Sequence, residues 1–160
     1  MKELILTQGK IALVDDEDFD YLSQFKWTAF KYKEDKFYAG RSIIKNGERY
    51  NLLMHREIMA TPDNMEVDHK DYDGLNNQKY NLRNCSHSQN NMNRSLRSTN
   101  TSGYKGVCWD YLRNRWSARI TINYKCRFIG YFVSKEDAAC AYNEAAIKYH
   151  GDFAKLNEVK

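Results

Sequence analysis

No stretch of this chain approaches the roughly 20 apolar residues that a bilayer-spanning helix needs, so nothing in it reads as a membrane anchor. The opening "MKELILTQGK" lacks the long apolar run of a secretory signal, and a cytoplasmic protein is the expectation. Paired cysteines are missing too. Cys85, Cys108, Cys126 and Cys140 stand 23, 18 and 14 residues apart, with no Cys-x-x-Cys pair to start a zinc site or a redox centre, and they read as free thiols. There is no internal repeat and no low-complexity tract. What the chain does have is apolar material: hydrophobic residues make up 42% and aromatics 14%, with 12 Tyr, enough for packed cores and against general disorder. Its 160 residues allow one compact domain or two small ones.

Charge separates the chain into parts. Residues 1–92 carry 13 Lys/Arg against 15 Asp/Glu, residues 93–101 carry 2 against 0, and residues 102–160 carry 10 against 6. The basic excess therefore lies in the middle and at the C-terminal end, which favours an anionic partner there. Composition shifts in the same place: in "NMNRSLRSTNTSGYKG" Asn, Ser, Thr and Arg crowd together while apolar residues almost vanish. We expect a mixed N-terminal domain over residues 1–94, a linker over 95–101 and a small C-terminal domain over 102–158.

The C-terminal part reads as an antiparallel meander followed by a helix. "YKGVCWDY", "RWSARITI" and "CRFIGYF" are short runs rich in β-branched and aromatic residues, separated by "LRN" and "NYK". Ser134 and Asp137 form a capping-box signature, Ala138, Ala141, Tyr142, Ala145 and Tyr149 recur at helical spacing, and Gly151 can end the run. In "WSARITI", Trp116, Ala118, Ile120 and Ile122 are expected to face the helix, leaving Ser117, Arg119 and Thr121 on the other side. Six basic residues (Lys105, Arg113, Arg115, Arg119, Lys125 and Arg127) stand here against the single acid Asp110. A merely solvated sheet is one reading, and nucleic-acid binding is the better one.

"SGYKGV", "RWSARI", "FIGYF" and "EDAACAYNEAAIKYHGDFAKLN" resemble, in order over about 55 residues, the AP2 DNA-binding domain. The resemblance implies a three-stranded sheet laid in the DNA major groove. By position it implies contacts from Arg119, Thr121 and Phe128, with Arg113 and Arg115 near phosphates; Lys105, one of the six basic residues, is a further DNA-binding candidate on charge. Plant members usually carry Arg after the Gly-Val, where this chain has Cys108, so their base preference does not transfer.

The second notable stretch lies upstream. "MEVDH" is a short strand candidate ending in Asp68-His69, "KDYDGLNNQKY" a turn-forming loop, "NLRNC" a second strand, and "SHSQNNMNR" a possible helix start. If strand, loop, strand and helix fold as a ββα unit, Asp68, His69 and an Asn about 20 residues on can converge. Taken singly, an Asp-His pair is an ordinary surface turn, Asn81 can simply open a strand, and Asn90 or Asn91 can sit in a polar helix. Together, "VDHKDYDGLNNQKYNLRNCSHSQNNMNR" resembles the His-Asn-His (HNH) endonuclease motif of phage-type homing and free-standing nucleases.

That resemblance implies a ββα-metal nuclease module. His69 would be the general base, Asp68 and Asn90 the ligands of a divalent metal, and Asn81 the residue that holds the loop and orients His69. Arg83 is a weaker candidate for phosphate contact and Asn93 for structure. Asn90 stands where the closing His of the motif's name would be, which favours an oxygen-liking ion, Mg²⁺ or Mn²⁺, over Zn²⁺.

"VDDEDFDYLSQFKWTAF" reads as an acid-capped short helix running into a strand, and "FYAGRSIIKNGERYNLLMHREIM" as two strands about Asn46-Gly47 followed by a short helix. Asp15, Asp16 and Asp18 read as helix-start acids, His55 as either a core histidine or a site-supporting one, and His87 and His150 as surface residues. The expectation is an α+β chain: an HNH module, then a three-stranded sheet on one helix. It would be a monomeric endonuclease acting on double-stranded DNA, with no protein partner evident. The rivals are a non-catalytic DNA-binding regulator with a relic HNH module and, less favoured, an RNA-binding module.

Overall fold

The computed structural model describes residues 1–33, 36–94, 96 and 98–159. Among them the chain is mixed α/β with four small antiparallel sheets, and it divides into two compact units, Met1–Ser86 and His87–Lys160. Of the residues read as a linker, Ser95 and Arg97 lie outside the described ones.

The first unit opens on a hairpin of β1 (Lys2–Ile5) and β2 (Ile11–Val14) that the sequence reading did not foresee. Leu4, Ala12 and Val14 turn inward from it and join Leu6, Leu22, Trp27 and Met54 in one apolar cluster. Helix α1 (Asp16–Leu22) carries Asp16, Glu17 and Asp18 in its first turn, where negative charge complements the unpaired amide groups. The Trp27 indole is 1% exposed and donates to the Leu22 carbonyl at 2.9 Å, so burying that large ring leaves no donor unsatisfied. Strands β3 (Thr28–Lys33), β4 (Lys36–Lys45) and β5 (Glu48–Leu53) form a meander. Asn46 and Gly47 join β4 to β5 with φ of 54° and 80°, the left-handed pair that a two-residue hairpin turn requires.

A short helix α2 (Met54–Ile58) follows, with Met54 fully buried. The Arg56 guanidinium donates to the carbonyls of Met65 (2.8 Å) and Pro62 (3.0 Å) and so ties α2 to the chain entering the next strand. That strand, β6 (Glu66–His69), pairs with β7 (Leu82–Cys85), setting Asp68 opposite Arg83 and His69 opposite Leu82.

The second unit begins with α3 (His87–Met92). Strands β8 (Val107–Asp110), β9 (Arg115–Ile122) and β10 (Lys125–Phe132) form a sheet in the order β10-β9-β8. Helix α4 (Lys135–His150) packs on it, Ala138 and Ala139 against Val107 and Ala118, and Tyr142 and Ala146 against Ile120. Ser134 accepts from the Asp137 amide at 3.0 Å, the cap expected there. The close approach depends on Gly106, which has φ +77° and where a Cβ would stand 2.1 Å from the Tyr142 ring.

Two details of this unit differ from the sequence expectation. The buried line of α4 runs Ala138, Tyr142, Ala146, His150, a spacing of four, while Tyr149 is 43% exposed. His150 is therefore a core residue, its Nε2 at 2.9 Å from the Thr121 carbonyl. Ser117, expected on the free side of β9, is fully buried; its hydroxyl donates to the Cys108 carbonyl at 3.1 Å. A small side chain in the central strand is covered by larger cross-strand neighbours, here Cys108 and Tyr131.

Candidate active site

β6 and β7 make a short ladder, and Asp68 and His69 end the first of them, each 6% exposed. Arg83, directly opposite, grips the Asp68 carboxylate through Nε at 2.8 Å and a terminal nitrogen at 2.6 Å, both on Oδ2. An ion pair this dry is costly to break from one side, because the remaining charge stays buried.

The loop after His69 is held by Asn81, which is 1% exposed. Its carbonyl oxygen accepts from the Asp71 amide at 3.0 Å, and its amide donates to Asp71 Oδ1 at 2.9 Å and to the Asn76 carbonyl at 2.8 Å. Its own backbone carbonyl accepts from Lys70 at 2.9 Å, so both residues that follow His69 are fixed by this one asparagine. Asp71 also accepts from the Asn76 side chain at 2.7 Å and from the Asp73 amide at 2.9 Å.

The far side of the loop is strapped to the body of the first unit. Leu13 on β2 accepts from the Asn77 amide at 2.8 Å and donates to the Leu75 carbonyl at 2.9 Å. Asp15 accepts from the Lys79 amide at 2.7 Å and from Gln78 Nε2 at 3.1 Å, so this carboxylate serves the loop and does not cap α1. At Gly74 a Cβ would stand 2.4 Å from the Phe37 carbonyl, an approach to β4 that only glycine permits.

His69 also sits among rings. The His55 centroid is 5.0 Å away with planes at 86°, and the Tyr38 centroid is 5.7 Å away. Burial pulls the His69 imidazole below its ordinary pKa, while the Asp71 carboxylate and, after it, the Asn77 side chain pull the other way. Burial takes His55 down to about 3. Both rings are thus biased to the neutral form.

Residues 60–92 match a family model described as HNH endonuclease. The chain carries an HNH endonuclease domain. It is a DNA-cleaving enzyme. Over 152 residues the chain is 28% identical to a protein of Acanthamoeba polyphaga mimivirus named an uncharacterized HNH endonuclease, a match covering 95% of this chain and 77% of that one. Over 62 residues it is 39% identical to an ethylene-responsive transcription factor of Arabidopsis thaliana, covering 38% of this chain and 14% of the factor.

HNH nucleases generally depend on a divalent metal. Among the described residues no three His, Cys, Asp or Glu side chains gather into a metal cage. The donors expected here are instead one carboxylate, Asp68, and one amide oxygen, Asn90. Carboxylate and amide oxygens are donors that suit Mg²⁺ or Mn²⁺ better than Zn²⁺. Asn90 lies on α3 and Asn93 just after it, 5% exposed, both in the second unit.

The other residues singled out by sequence fall on the second unit's sheet. Arg119 and Thr121 on β9 and Phe128 on β10 are exposed, Phe128 by 54%, and Arg115 is exposed at the start of β9. Arg113 bonds Asp110 at 3.4 Å and lies 5.0 Å from the Tyr131 ring centre. Lys105 is placed otherwise than expected: its ammonium donates to the carbonyls of Met92 (2.5 Å) and Arg94 (2.7 Å), and burial lowers its pKa to about 8. A half-buried ammonium committed to two carbonyls is a structural clasp rather than an exposed contact. Sequence reasoning passed over Tyr38, Asp71, Asn76 and Asn77. The stretch Asp71-Tyr72-Asp73-Gly74 carried the signal for the loop, since Asp side chains bond amides two residues on. Tyr38 left no signal, because it arrives from a distant strand.

Proposed function

We propose that this protein is a metal-dependent endonuclease that hydrolyses a phosphodiester bond of double-stranded DNA, cutting with the HNH domain and positioned by an AP2-like sheet in its second unit. The observation that carries this reading is the buried Asp68-His69 pair at the end of β6, inside the matched segment, with the following loop locked by Asn81.

Each side chain has a task. His69, held neutral by burial, takes the proton from the attacking water, a step worth about 10²–10⁴-fold. Asn81 orients it by fixing Lys70 and Asp71. Asp68 and Asn90 would hold the divalent cation, which when bound polarises the phosphate and stabilises the leaving 3′-oxygen. Arg83 keeps the Asp68 carboxylate in place and is a candidate for phosphate contact. The resemblance to HNH nucleases implies 5′-phosphate and 3′-hydroxyl products, and a monomer with one site would nick one strand. On the second unit, Arg119, Thr121 and Phe128 are assigned to bases and Arg113 and Arg115 to phosphates, with an open sheet face and a net basic charge in support.

Supercoiled plasmid incubated with the protein and Mg²⁺ or Mn²⁺ tests this directly. The expected result is conversion to the relaxed circle, lost on chelation. Binding with no conversion under any divalent ion would favour the non-catalytic regulator. That no described helix is long and apolar enough to cross a membrane agrees with either reading.

A further inference from the structure

The roles above leave unused a second buried histidine beside the first. His55 is the second residue of α2 and 5% exposed, and its ring meets His69 edge to face, centroids 5.0 Å apart and planes at 86°. Tyr38 from β4 closes the third side, 5.6 Å from His55 and 5.7 Å from His69. Three rings from three elements of the first unit are thus in mutual contact, each within the separation aromatic pairs favour.

We propose that His55 is a positioning residue: its ring, braced by Tyr38, fixes the orientation of the His69 imidazole for proton abstraction. This rests on the reading of His69 as the base. Pairing of β6 with β7 fixes the His69 backbone, yet the torsion that turns an imidazole about its Cβ–Cγ bond has a broad, shallow profile. A base must keep one nitrogen aimed to within roughly 10–20°, so something must pack against the flat ring.

His55 is well anchored for that. Met54 before it is fully buried, and Arg56 after it clasps the carbonyls of Pro62 and Met65, leading into the strand that bears His69. His55 also adds no charge beside the base, since burial keeps it neutral above about pH 3. Its Nδ1 is buried with no hydrogen-bond partner among the described residues, so that nitrogen contributes no bond to the arrangement. What His55 offers is therefore a flat ring of the right size, which phenylalanine can imitate.

The test compares full-length wild type, His55→Ala and His55→Phe by single-turnover nicking of plasmid with Mg²⁺, by DNA affinity, and by the ¹³C–¹H ring signals of His69. Alanine should slow nicking about 10–100-fold, leave DNA affinity within about twofold, and move or broaden the His69 signal. Phenylalanine should restore both rate and signal, which a merely volume-filling role does not require. His55→Leu, which fills the space without a flat ring, serves if the alanine variant does not fold, and it should behave as alanine. Wild-type rate and an unmoved His69 signal in the alanine or leucine variant overturn the proposal. So does a phenylalanine variant that stays slow while its His69 signal returns. If wild type nicks nothing, the base assignment of His69 falls, and the positioning of its ring still stands or fails on the NMR comparison.

Discussion

In the first unit the polar side chains that matter are sealed away: Asp68, His69, Asn77 and Asn81 are each 6% exposed or less. In the second, Arg115, Arg119, Thr121 and Phe128 stand in solvent on an open sheet. Burial raises the worth of every hydrogen bond and charge around a reacting atom and fixes its geometry. Exposure keeps cations hydrated, long-ranged and able to meet many phosphates, at little energy each. In the proposed reading, the first unit serves a reaction at a point and the second a surface that meets a polyanion.

The largest effect is expected at Asn81, which is 1% exposed and holds the loop. Asn81→Ala removes two donated bonds and one accepted bond at an interior position, and we expect a loss of about 1–3 kcal/mol per buried group left unsatisfied, with nicking falling at least tenfold. Urea unfolding and single-turnover assays check this, and a variant as stable and as fast as wild type would show that the loop needs no such lock. Gly74→Ala comes next, since its Cβ would press on the Phe37 carbonyl and the Tyr38 ring. A melting point of the first unit equal to wild type would contradict the tight strapping of the loop.

On the exposed side the effects should be smaller and graded. Arg119→Ala should weaken DNA binding by about five- to tenfold. For wild type, four to six phosphate contacts predict that log K falls with log[salt] at a slope of about −4 to −5. A phosphate-contacting arginine such as Arg115, replaced by alanine, should lower that slope by about one. Titrations at several salt concentrations measure both quantities, and a flat slope would deny the sheet its electrostatic role.

Acid gives the finest distinction. The His55 pKa in the fold, about 3, lies below its unfolded value of 6.5, so the unfolded chain binds the extra proton between those limits. Its contribution to stability is complete above about pH 6.5 and is lost as pH falls toward 3. His55→Phe removes that titration, and its urea midpoint should drop less between pH 7 and pH 5 than that of wild type. An equal drop would place the acid sensitivity elsewhere.

Much of this was legible in the chain. Asn46-Gly47, Ser134 with Asp137, and the alternation in "RWSARITI" each encode local geometry, and β5, α4 and β9 follow them. The Asp-His and Asn-Leu-Arg ends of the hairpin were legible for the same reason, as the pairing of β6 with β7 sets them opposite each other. What sequence did not give is what distant elements contribute. His55 and Tyr38 reach His69 from α2 and β4, Asp15 ties the loop from the end of β2, and His150 turns inward because the stripe on α4 advances by four. Lys105 looked like one more cation on a basic sheet, and only the nearness of two carbonyls gave it a different task.

The division of labour is tested most directly by His69→Ala, assayed for DNA binding and for Mg²⁺-dependent nicking of the same supercoiled plasmid. Affinity should stay within about twofold of wild type while the nicking rate falls by about 10²–10⁴-fold. A variant that still nicks at the wild-type rate would contradict the assignment of His69 as the base.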